Sequence, residues 1–431
     1  MVVYTVSKIL ERVIHDQLYS YFSKNKLFHP NLMGYRKNRS TLTAILQMYD
    51  RWVRGAADGN ASGIVLLDLS AAFDLVNPSI LSEKLEIYGL KTDFVEWIQC
   101  YMNNRKQAVW VDHTLSSWLD VSIGVPQGSI LGPLLFIIFS NDLPYNISCN
   151  IDMYADDSTL SSVKSSVTEI NCELDENCST VVTWMTDNEL CLNVEKTHLL
   201  VGGTNQRLSH MAKDQSFLVQ VDGVSLLESD NKSENLLGVV IQSNFKWDRH
   251  IVELQKRLKY RLAGIRKLQH VIDVQHLKVV ADSIFHSILT YCISAWGGTN
   301  KGNIHELQVL QNQAARTVLH LPSRSHREDM YKKLSWLTVN QTVIFQRILT
   351  VYKIRRNKEP EYLADFLLRD NFRGNIIIPN TGLSLLRRSF VHNGAELWNS
   401  LPHSLRELET LAKFKGALRR WVEANIPMFL E

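Results

Sequence analysis

The chain has 431 residues, of which 45% are hydrophobic and 21% charged, so it can bury a large core and should hold more than one structural unit. The formal net charge of +3 excludes a strongly basic overall field, so any binding of nucleic acid must rely on local basic surfaces. The six cysteines show no paired short spacing, and the longest apolar run, residues 134–139, is too short to cross a bilayer. We expect an intracellular protein of the nucleus or cytoplasm that is not secreted and has no membrane partner.

Residues 1–60 are predicted to be mostly helical, with a turn at residues 34–41. Residues 63–67 are aliphatic without polar alternation, a pattern typical of a strand buried on both faces. This strand ends at Asp68, whose carboxylate is costly to bury unless another charge compensates it. A bend of small residues then leads into a helix predicted from about Pro78 to Tyr88.

A loop rich in glycine and proline follows at residues 123–133. Its glycines and prolines predict a rigid segment where the backbone can approach a ligand closely, and they are Gly124, Pro126, Gly128, Gly132 and Pro133. We expect Ser129 to cap the next helix, whose apolar body is residues 134–139. The alternative interpretation is an ordinary loop before a core helix.

The sequence Tyr154-Ala155-Asp156-Asp157 is predicted to form the tip of a β-hairpin with arms at residues 150–154 and 158–161. Consecutive residues of a straight strand point to opposite faces, so Asp156 and Asp157 can serve one site only where the backbone turns. Concentrated negative charge on a tight turn suits a divalent cation such as Mg²⁺. The alternative is an ordinary acidic turn, because Asp stabilises turns by local hydrogen bonds.

A metal site shared by Asp68 and the acidic turn would compensate the charge of all these carboxylates. Two cations roughly 4 Å apart can activate an attacking oxygen and stabilise a leaving one during in-line phosphoryl transfer. Three carboxylates from two chain segments are about the minimum that such a pair of ions needs.

The remaining chain is predicted to hold a hairpin around Asp222-Gly223 and then, beyond Trp247, mainly helices. The helix predicted at residues 254–269 has apolar residues at helical spacing on one face. Basic residues fill the remainder, among them Lys256, Arg257, Lys259 and Arg261. The alternative for this face is a solvated charge stripe.

Taken together, these segments resemble the reverse transcriptase family, specifically the enzymes of animal non-LTR retrotransposons. Residues 67–76, 124–136 and 154–157 are similar, in order and spacing, to the first three polymerase motifs of the family. The fourth and fifth motifs resemble residues 188–197 and residues 236–240 with Trp247 and His250. Residues 7–14 and 34–41 resemble the fingers, and residues 395–402 resemble the region that follows the polymerase.

The resemblance implies an α+β fold, namely a right-hand polymerase with fingers, a palm with an antiparallel sheet, a thumb and a helical C-terminal extension. The implied boundaries are residues 1–245 for fingers and palm, 246–330 for the helical thumb, and 331–431 for an extension of unknown role. In this arrangement the basic helix would grip the duplex backbone through Lys256, Arg257, Lys259 and Arg261.

Catalytic roles carry over from the resemblance position by position. Asp68, Asp156 and Asp157 would be the metal ligands for two Mg²⁺ ions, with the first two bridging the ions. Lys196 would lie near the triphosphate and neutralise or protonate the departing pyrophosphate. Asp74 matches no catalytic position and is interpreted as a turn residue.

The nucleotide-binding roles carry over in the same way. Phe73 matches the bulky residue that excludes a 2′-hydroxyl, which favours deoxynucleotides. Gln127 would contact the incoming nucleotide, and Gly128 would leave room for the template–primer pair. Arg36 and Arg39 are candidates for holding phosphates from the fingers side, with solvated surface arginines as the alternative.

The activity implied is RNA-directed DNA polymerisation, in which the 3′-hydroxyl of a DNA primer, paired to an RNA template, attacks the α-phosphate of a dNTP. A first alternative is a truncated, catalytically silent nucleic-acid-binding remnant. It is suggested because the chain starts almost inside the first finger helix, without the arginine-bearing segment that precedes it in the family. A second alternative is an RNA-dependent RNA polymerase, against which the bulk of Phe73 speaks.

Overall fold

The computed structural model describes residues 5–103, 105–211, 216–322, 324–378 and 380–428. The chain divides into two compact units. Unit 1 comprises Met1–Ala44, Asn60–Val201 and Gln206–Asp230, and unit 2 comprises Ile45–Gly59, Gly202–Asn205 and Asn231–Glu431. The predicted domain boundaries at residues 245 and 330 are based on sequence motifs and not on compact units, and they stay a prediction.

The strands are short, and most belong to unit 1. In chain order they are β1 (Ala61–Leu67), β2 (Leu69–Ser70), β3 (Arg105–Gln107), β4 (Trp110–Val111), β5 (Thr114–Leu115), β6 (Leu119–Val121), β7 (Asn150–Tyr154), β8 (Asp157–Lys164), β9 (Cys191–Leu192), β10 (His198–Gly202), β11 (Leu218–Val221), β12 (Val224–Leu227), β13 (Ser233–Leu236) and β14 (Val239–Gln242).

Helices make up most of the described chain. They are α1 (Thr5–Lys24), α2 (Thr41–Ala57), α3 (Pro78–Ile87), α4 (Thr92–Met102), α5 (Gly132–Phe139), α6 (Val167–Asp187), α7 (Asn205–Met211), α8 (Asp248–Leu268), α9 (Val274–Ala281), α10 (Ser287–Thr290), α11 (Ile293–Trp296), α12 (Lys301–Val318), α13 (Arg327–Leu334), α14 (Val339–Asn357), α15 (Glu361–Leu367), α16 (Ser384–Arg388), α17 (Phe390–Asn399), α18 (His403–Arg406) and α19 (Leu411–Asn425).

The centre of unit 1 is a four-stranded sheet in the order β10-β1-β8-β7, in which β8 runs antiparallel to both of its neighbours. Strand β1 is buried along nearly its whole length, as its continuous aliphatic sequence predicts. Helix α6 packs on this sheet at Gly63, where an added Cβ would lie only 2.4 Å from Cγ2 of Ile170. The glycine therefore lets the helix approach the strand closely.

The apolar helix α5 lies in the core of unit 1. All of its residues except Pro133 are buried. The prediction that Ser129 caps this helix is wrong in position, because the helix begins at Gly132 and its N-cap is Leu131. The Ser129 hydroxyl still accepts the Gly132 N–H at 2.9 Å, but from within the preceding turn, where it also donates to the Pro126 carbonyl at 2.6 Å.

The predicted α+β class with an antiparallel sheet is confirmed. The hairpin at Asp222-Gly223 is also present, formed by β11 and β12. The predicted basic helix is α8, which begins six residues before Leu254. Among the described residues, no helix combines the length and the apolar character needed to cross a membrane.

Candidate functional site

The predicted metal ligands come together through the pairing of β1 with β8. Leu67 is the register partner of Ser158 in this antiparallel pair. Asp68, the residue after Leu67, and Asp157, the residue before Ser158, therefore lie at the same end of the sheet. On the other side of β8, Asp157 pairs with Tyr154 of β7. The register therefore places two carboxylates, 89 positions apart in the sequence, at the same end of neighbouring strands.

A two-residue turn at the end of the β7–β8 hairpin carries the third carboxylate. Because Tyr154 and Asp157 close the hairpin, Ala155 and Asp156 form the turn, and Ala155 has a φ of 59°. The second arm is longer than predicted, since β8 includes Asp157 and continues to Lys164. Asp157 is thus the first residue of a strand, while Asp156 lies in the turn beside it.

The charges of these carboxylates influence one another. Burial raises the pKa of Asp157, and the negative charges of Asp156 and then Asp68 raise it further. A positive group stands nearby, because Nζ of Lys196 lies 3.9 Å from Oδ2 of Asp68. The site therefore concentrates negative charge that a bound cation would relieve.

The neighbourhood of Lys196 is fixed to Asp68 through the backbone. Strand β2, which begins directly after Asp68, pairs with β9. The Asp68 carbonyl accepts the N–H of Asn193 at 2.9 Å, and the Asn193 side chain accepts the N–H of Lys196 at 3.3 Å. The fourth predicted motif is thus bound directly to the first.

The chemistry of the three carboxylates fits Mg²⁺, which prefers oxygen ligands. Within the part of the chain that the structure describes, however, no three His, Cys, Asp or Glu side chains are arranged as a ready metal-binding group. The donor types, the shared end of the sheet and the raised pKa of Asp157 support a cation site. The ligand assignment itself stays a prediction.

The predicted selectivity residue Phe73 lies in a small aromatic cluster. Its ring stacks on Phe136 of α5 with centroids 4.3 Å apart, and Tyr35 meets it edge-on at 6.2 Å. Burial raises the pKa of Tyr35, as does the charge of Asp156. Tyr35 therefore connects the Phe73 ring to the acidic turn.

Residues 31–35 are held against the β7–β8 hairpin by the backbone. The Met33 N–H donates to the Met153 carbonyl at 2.7 Å, and the Met153 N–H donates to the Asn31 carbonyl at 3.0 Å. Gly34 makes this approach possible, because an added Cβ would lie 2.4 Å from the nitrogen of Ala155. The turn that carries Tyr35 is therefore fixed directly beside Asp156.

The glycine- and proline-rich loop packs against the bend that follows Asp68. The Gln127 amide donates to both carboxylate oxygens of Asp74, at 2.7 and 3.0 Å. Gly124 has a φ of 82°, and an added Cβ there would lie 2.6 Å from the Asp74 carbonyl oxygen. The close approach that this glycine permits is thus to the chain's own backbone. Gly128, with a φ of 80°, is exposed.

Arg36 and Arg39 are half-buried and bound to their own loop. The Arg36 guanidinium donates to the His29 carbonyl at 3.3 Å and lies 4.5 Å from the centroid of the Phe28 ring. Arg39 donates to the carbonyl of Leu32 at 3.1 Å. Both side chains therefore brace the segment that carries Tyr35, and their role toward phosphate stays a prediction.

Three side chains make contacts at the site that the sequence did not predict. Asp74, interpreted as a turn or cap residue, lies in a short 3-10 turn and in addition holds the Gln127 amide. Tyr35 stands between Phe73 and Asp156, and its place after Gly34 was the available signal. Glu11, which is 3% exposed, accepts the N–H of Ile130 at 2.6 Å and so fixes the loop from α1. Nothing in the local sequence indicates that contact.

The predicted duplex-binding residues belong to unit 2. Helix α8 buries its apolar stripe and exposes Lys256, Arg257, Lys259 and Arg261. Lys256 forms an ion pair with Glu253 at 2.7 Å. The helix is thus amphipathic and basic, as predicted, and its binding of nucleic acid stays a prediction.

The family described as "Reverse transcriptase (RNA-dependent DNA polymerase)" matches residues 1–241, which is more than half of the chain. Among curated proteins, the chain is 24% identical over 376 residues to the probable RNA-directed DNA polymerase from transposon BS of Drosophila melanogaster. It is 23% identical over 380 residues to the RNA-directed DNA polymerase from mobile element jockey of the same species. Both alignments cover 84% of this chain, but only 40% and 39% of the relatives.

Solved structures of low similarity include two of telomerase in complex with the TWJ fragment of telomeric RNA. The Candida tropicalis protein is 11% identical, with a TM-score of 0.40, and the match covers 97% of this chain and 57% of that one. The Candida albicans protein is 12% identical, with a TM-score of 0.34, covering 85% and 56% of the two chains.

Proposed function

Because the chain belongs to the reverse transcriptase (RNA-dependent DNA polymerase) family, we propose that it catalyses RNA-directed DNA synthesis as part of a retrotransposon protein. The observation that carries this proposal is the β1–β8 register, which brings Asp68 and Asp157 to the same end of the sheet beside the Asp156 turn. The chain spans about 40% of the length of the transposon BS relative. The activity of a whole protein of that kind is therefore part of the proposal.

We assign Asp68, Asp156 and Asp157 as the ligands of two Mg²⁺ ions. When bound, the ions would supply the charge that activates a primer 3′-hydroxyl and stabilises the leaving pyrophosphate. The raised pKa of Asp157 agrees with this assignment: burial is its main cause, and the negative charges of Asp156 and Asp68 raise the pKa further. Lys196, close to Asp68, would place a proton and a positive charge near the departing phosphates.

Nucleotide selection is assigned to Phe73 and Gln127. The Phe73 ring is held from two sides by Phe136 and Tyr35, so it cannot readily move away from a ribose 2′-hydroxyl. Gln127 is held by Asp74, which orients its amide at the exposed surface of the loop. Preorganised side chains of this kind favour one substrate geometry over another.

The partners in this proposal are an RNA template, a DNA primer and a dNTP. The exposed basic face of α8 would contact backbone phosphates, which carry no sequence information. The names of the curated relatives, RNA-directed DNA polymerases of mobile elements, agree with these partners.

Primer extension on an RNA template tests the proposal. The wild-type chain should incorporate dNTPs, and Asp156→Asn should lower the rate by at least about a hundredfold, the scale on which loss of one electrostatic stabilising group acts. Asp112→Asn, which changes an exposed Asp on the β4–β5 turn in the same way, should extend primers at the wild-type rate.

Other outcomes would replace the proposal with one of its alternatives. Binding of template–primer without extension would indicate a catalytically silent remnant. Preferential use of rNTPs would indicate an RNA-dependent RNA polymerase. Equal activity of the wild-type chain and Asp156→Asn would reject the assigned site.

A further inference from the structure

Unit 2 contains a cavity that none of the predicted site residues lines. Its volume is about 300 Å³, at the lower end of the range for small-molecule sites. The lining comes from segments that are distant in sequence but all belong to unit 2, namely Tyr49, Thr204, Asn205, residues 244–248, 298–300 and 383–385, and Arg388. The cavity is therefore a separate candidate site from the predicted catalytic residues of unit 1.

The charged side chains that line this cavity are mostly positive. Lys246 and Arg388 are exposed cations at its wall, and Asp248 is its one lining carboxylate among the described residues. The Asp248 carboxylate is already bound, because it accepts the side-chain amides of Asn300 at 3.0 Å and Asn303 at 2.9 Å. Two exposed cations thus belong to the lining, while the carboxylate is engaged by neighbouring amides.

A further positive charge lies directly behind the wall. Arg347 is 1% exposed, and among the described residues its guanidinium donates to neutral oxygens, namely the carbonyls of Ser294, Ala295 and Arg388 and the amide of Asn393. Burial lowers the pKa of Arg347 to about 10, which leaves it charged at neutral pH. An added Cβ at Gly298, a lining residue, would lie 2.8 Å from Nη2 of Arg347. The guanidinium therefore stands immediately behind this glycine, where its charge acts on the cavity.

The backbone adds to this positive potential. Two long helices begin at the cavity, α8 at Asp248 and α12 at Lys301, next to the lining residue Asn300. The N-terminal end of a helix carries a partial positive charge. The helix ends, the two lining cations and the buried Arg347 all favour an anion.

The lining also has a polar uncharged part, formed by Thr204, Asn205, Asn244, Thr299, Asn300 and Ser384, and an apolar part that is aromatic and aliphatic. The Tyr49 and Trp247 rings pack with centroids 4.8 Å apart, and Leu383 and Leu385 also contribute to the lining. A site with a cationic part and an apolar part suits a ligand that joins a phosphate to a planar, weakly polar group. Guanidinium geometry favours phosphate in particular.

We propose that this cavity binds a nucleoside phosphate, either as a free nucleotide or as one unit of an RNA strand. Arg388 and Lys246 bind the phosphate, and the apolar part of the lining accommodates the nucleoside. This site lies in unit 2 and is independent of the three carboxylates of unit 1.

Isothermal titration calorimetry of the full chain tests this site, with AMP, adenosine and a short single-stranded RNA as probes. AMP should bind and adenosine should not. Arg388→Gln should weaken AMP binding by about tenfold or more, the effect of losing a hydrogen bond to a charged group. Arg387→Gln changes the exposed neighbour that does not line the cavity, and it should leave the affinity unchanged. Ser384→Trp, which fills the space without removing a charge, should abolish binding.

AMP and the short RNA together also identify the source of the phosphate. If AMP binding depends on Arg388 and RNA binding does not, the ligand is a free nucleotide; the same dependence for RNA identifies a strand. Absence of AMP binding, or equal effects of Arg387→Gln and Arg388→Gln, would overturn the proposal. Primer extension by Asp156→Asn is a separate readout, so failure of this site and failure of the polymerase assignment remain distinguishable.

Discussion

Asp68 connects more of unit 1 than its position at the end of one strand suggests. Its carbonyl accepts the Asn193 N–H, its carboxylate lies 3.9 Å from Nζ of Lys196, and its charge helps to raise the pKa of Asp157. One residue therefore connects the first, third and fourth predicted motifs. Substitution of Asp68 is expected to affect all three without disturbing the hydrophobic core.

His250 is buried and neutral. Its Nδ1 accepts the Val240 N–H at 3.2 Å, which places the remaining proton on Nε2. Burial lowers the pKa of His250 to about 4, and the charge of Arg257 contributes to this shift. The unfolded chain, with an ordinary imidazole pKa near 6.5, therefore takes up a proton before the folded chain does.

We predict that the free energy of unfolding falls as the pH drops from about 6.5 toward about 4, by roughly 3 kcal/mol from this residue. The stability contributed by neutral His250 is complete above the unfolded pKa and is lost below it. Urea unfolding at several pH values, compared between wild type and His250→Phe, measures this contribution. An identical pH dependence in the two proteins would show that His250 does not couple protonation to folding.

At the scale of elements, the backbone contact between residues 31–35 and the β7–β8 hairpin fixes the surroundings of the acidic turn. Two backbone hydrogen bonds and the close approach at Gly34 hold these segments together. Because the contact is between backbones, it depends on the absence of a side chain at one position. The site should therefore be sensitive to a single methyl group there.

Gly34→Ala should lower the free energy of unfolding by about 1–3 kcal/mol, the cost of overpacking a tightly filled site, and so lower the denaturation midpoint. It should also reduce primer extension, because the added Cβ pushes against the Ala155 nitrogen beside Asp156. Gly416→Ala is the matched control. In the described part of the chain, no atom outside the backbone of α19 and the two neighbouring residues lies within 4 Å of its added Cβ, so this variant should stabilise the protein by about 1 kcal/mol. Equal midpoints for the two variants would contradict this account.

The elements with continuous or periodic apolar sequences were predictable. Strand β1, helix α5 and helix α8 all lie where their patterns predicted, with ends shifted by a few residues. The hairpin tip was also found, because two adjacent Asp residues after a short apolar run indicate a turn. These features depend on residues that are close in sequence.

Contacts between distant segments were not predictable in the same way. The hydrogen bond from Gln127 to Asp74 and that from the Ile130 N–H to Glu11 join residues 53 and 119 positions apart. No local pattern encodes such a contact, because it depends on how whole elements pack. The roles of Arg36 and Arg39 illustrate the same limit. The local sequence does not distinguish an arginine that binds phosphate from one that braces its own loop.

At the scale of the whole molecule, the net charge of +3 means that any attraction to nucleic acid is local. The exposed basic face of α8 is one such local surface. Binding through phosphates releases counterions, so the affinity depends strongly on salt.

The double variant Lys256→Gln/Lys259→Gln should weaken template–primer binding and reduce the slope of log affinity against log salt by about 0.9 per lost phosphate contact. The control, Lys332→Gln/Lys333→Gln, removes the same charge from the exposed side of α13. Fluorescence anisotropy at several salt concentrations gives both slopes. If the control lowers the slope as much as the α8 variant does, binding is not localised on α8.

We propose above that Asp68 and the Asp156–Asp157 turn together hold a divalent cation. Electron paramagnetic resonance of bound Mn²⁺, used as a probe for the Mg²⁺ site, tests this claim without requiring turnover. We expect the wild-type chain and Asp112→Asn to bind Mn²⁺ alike, and Asp68→Asn and Asp157→Asn each to weaken binding by about tenfold or more. Unchanged Mn²⁺ affinity in Asp68→Asn would contradict the claim, because the end of β1 would then take no part in the site.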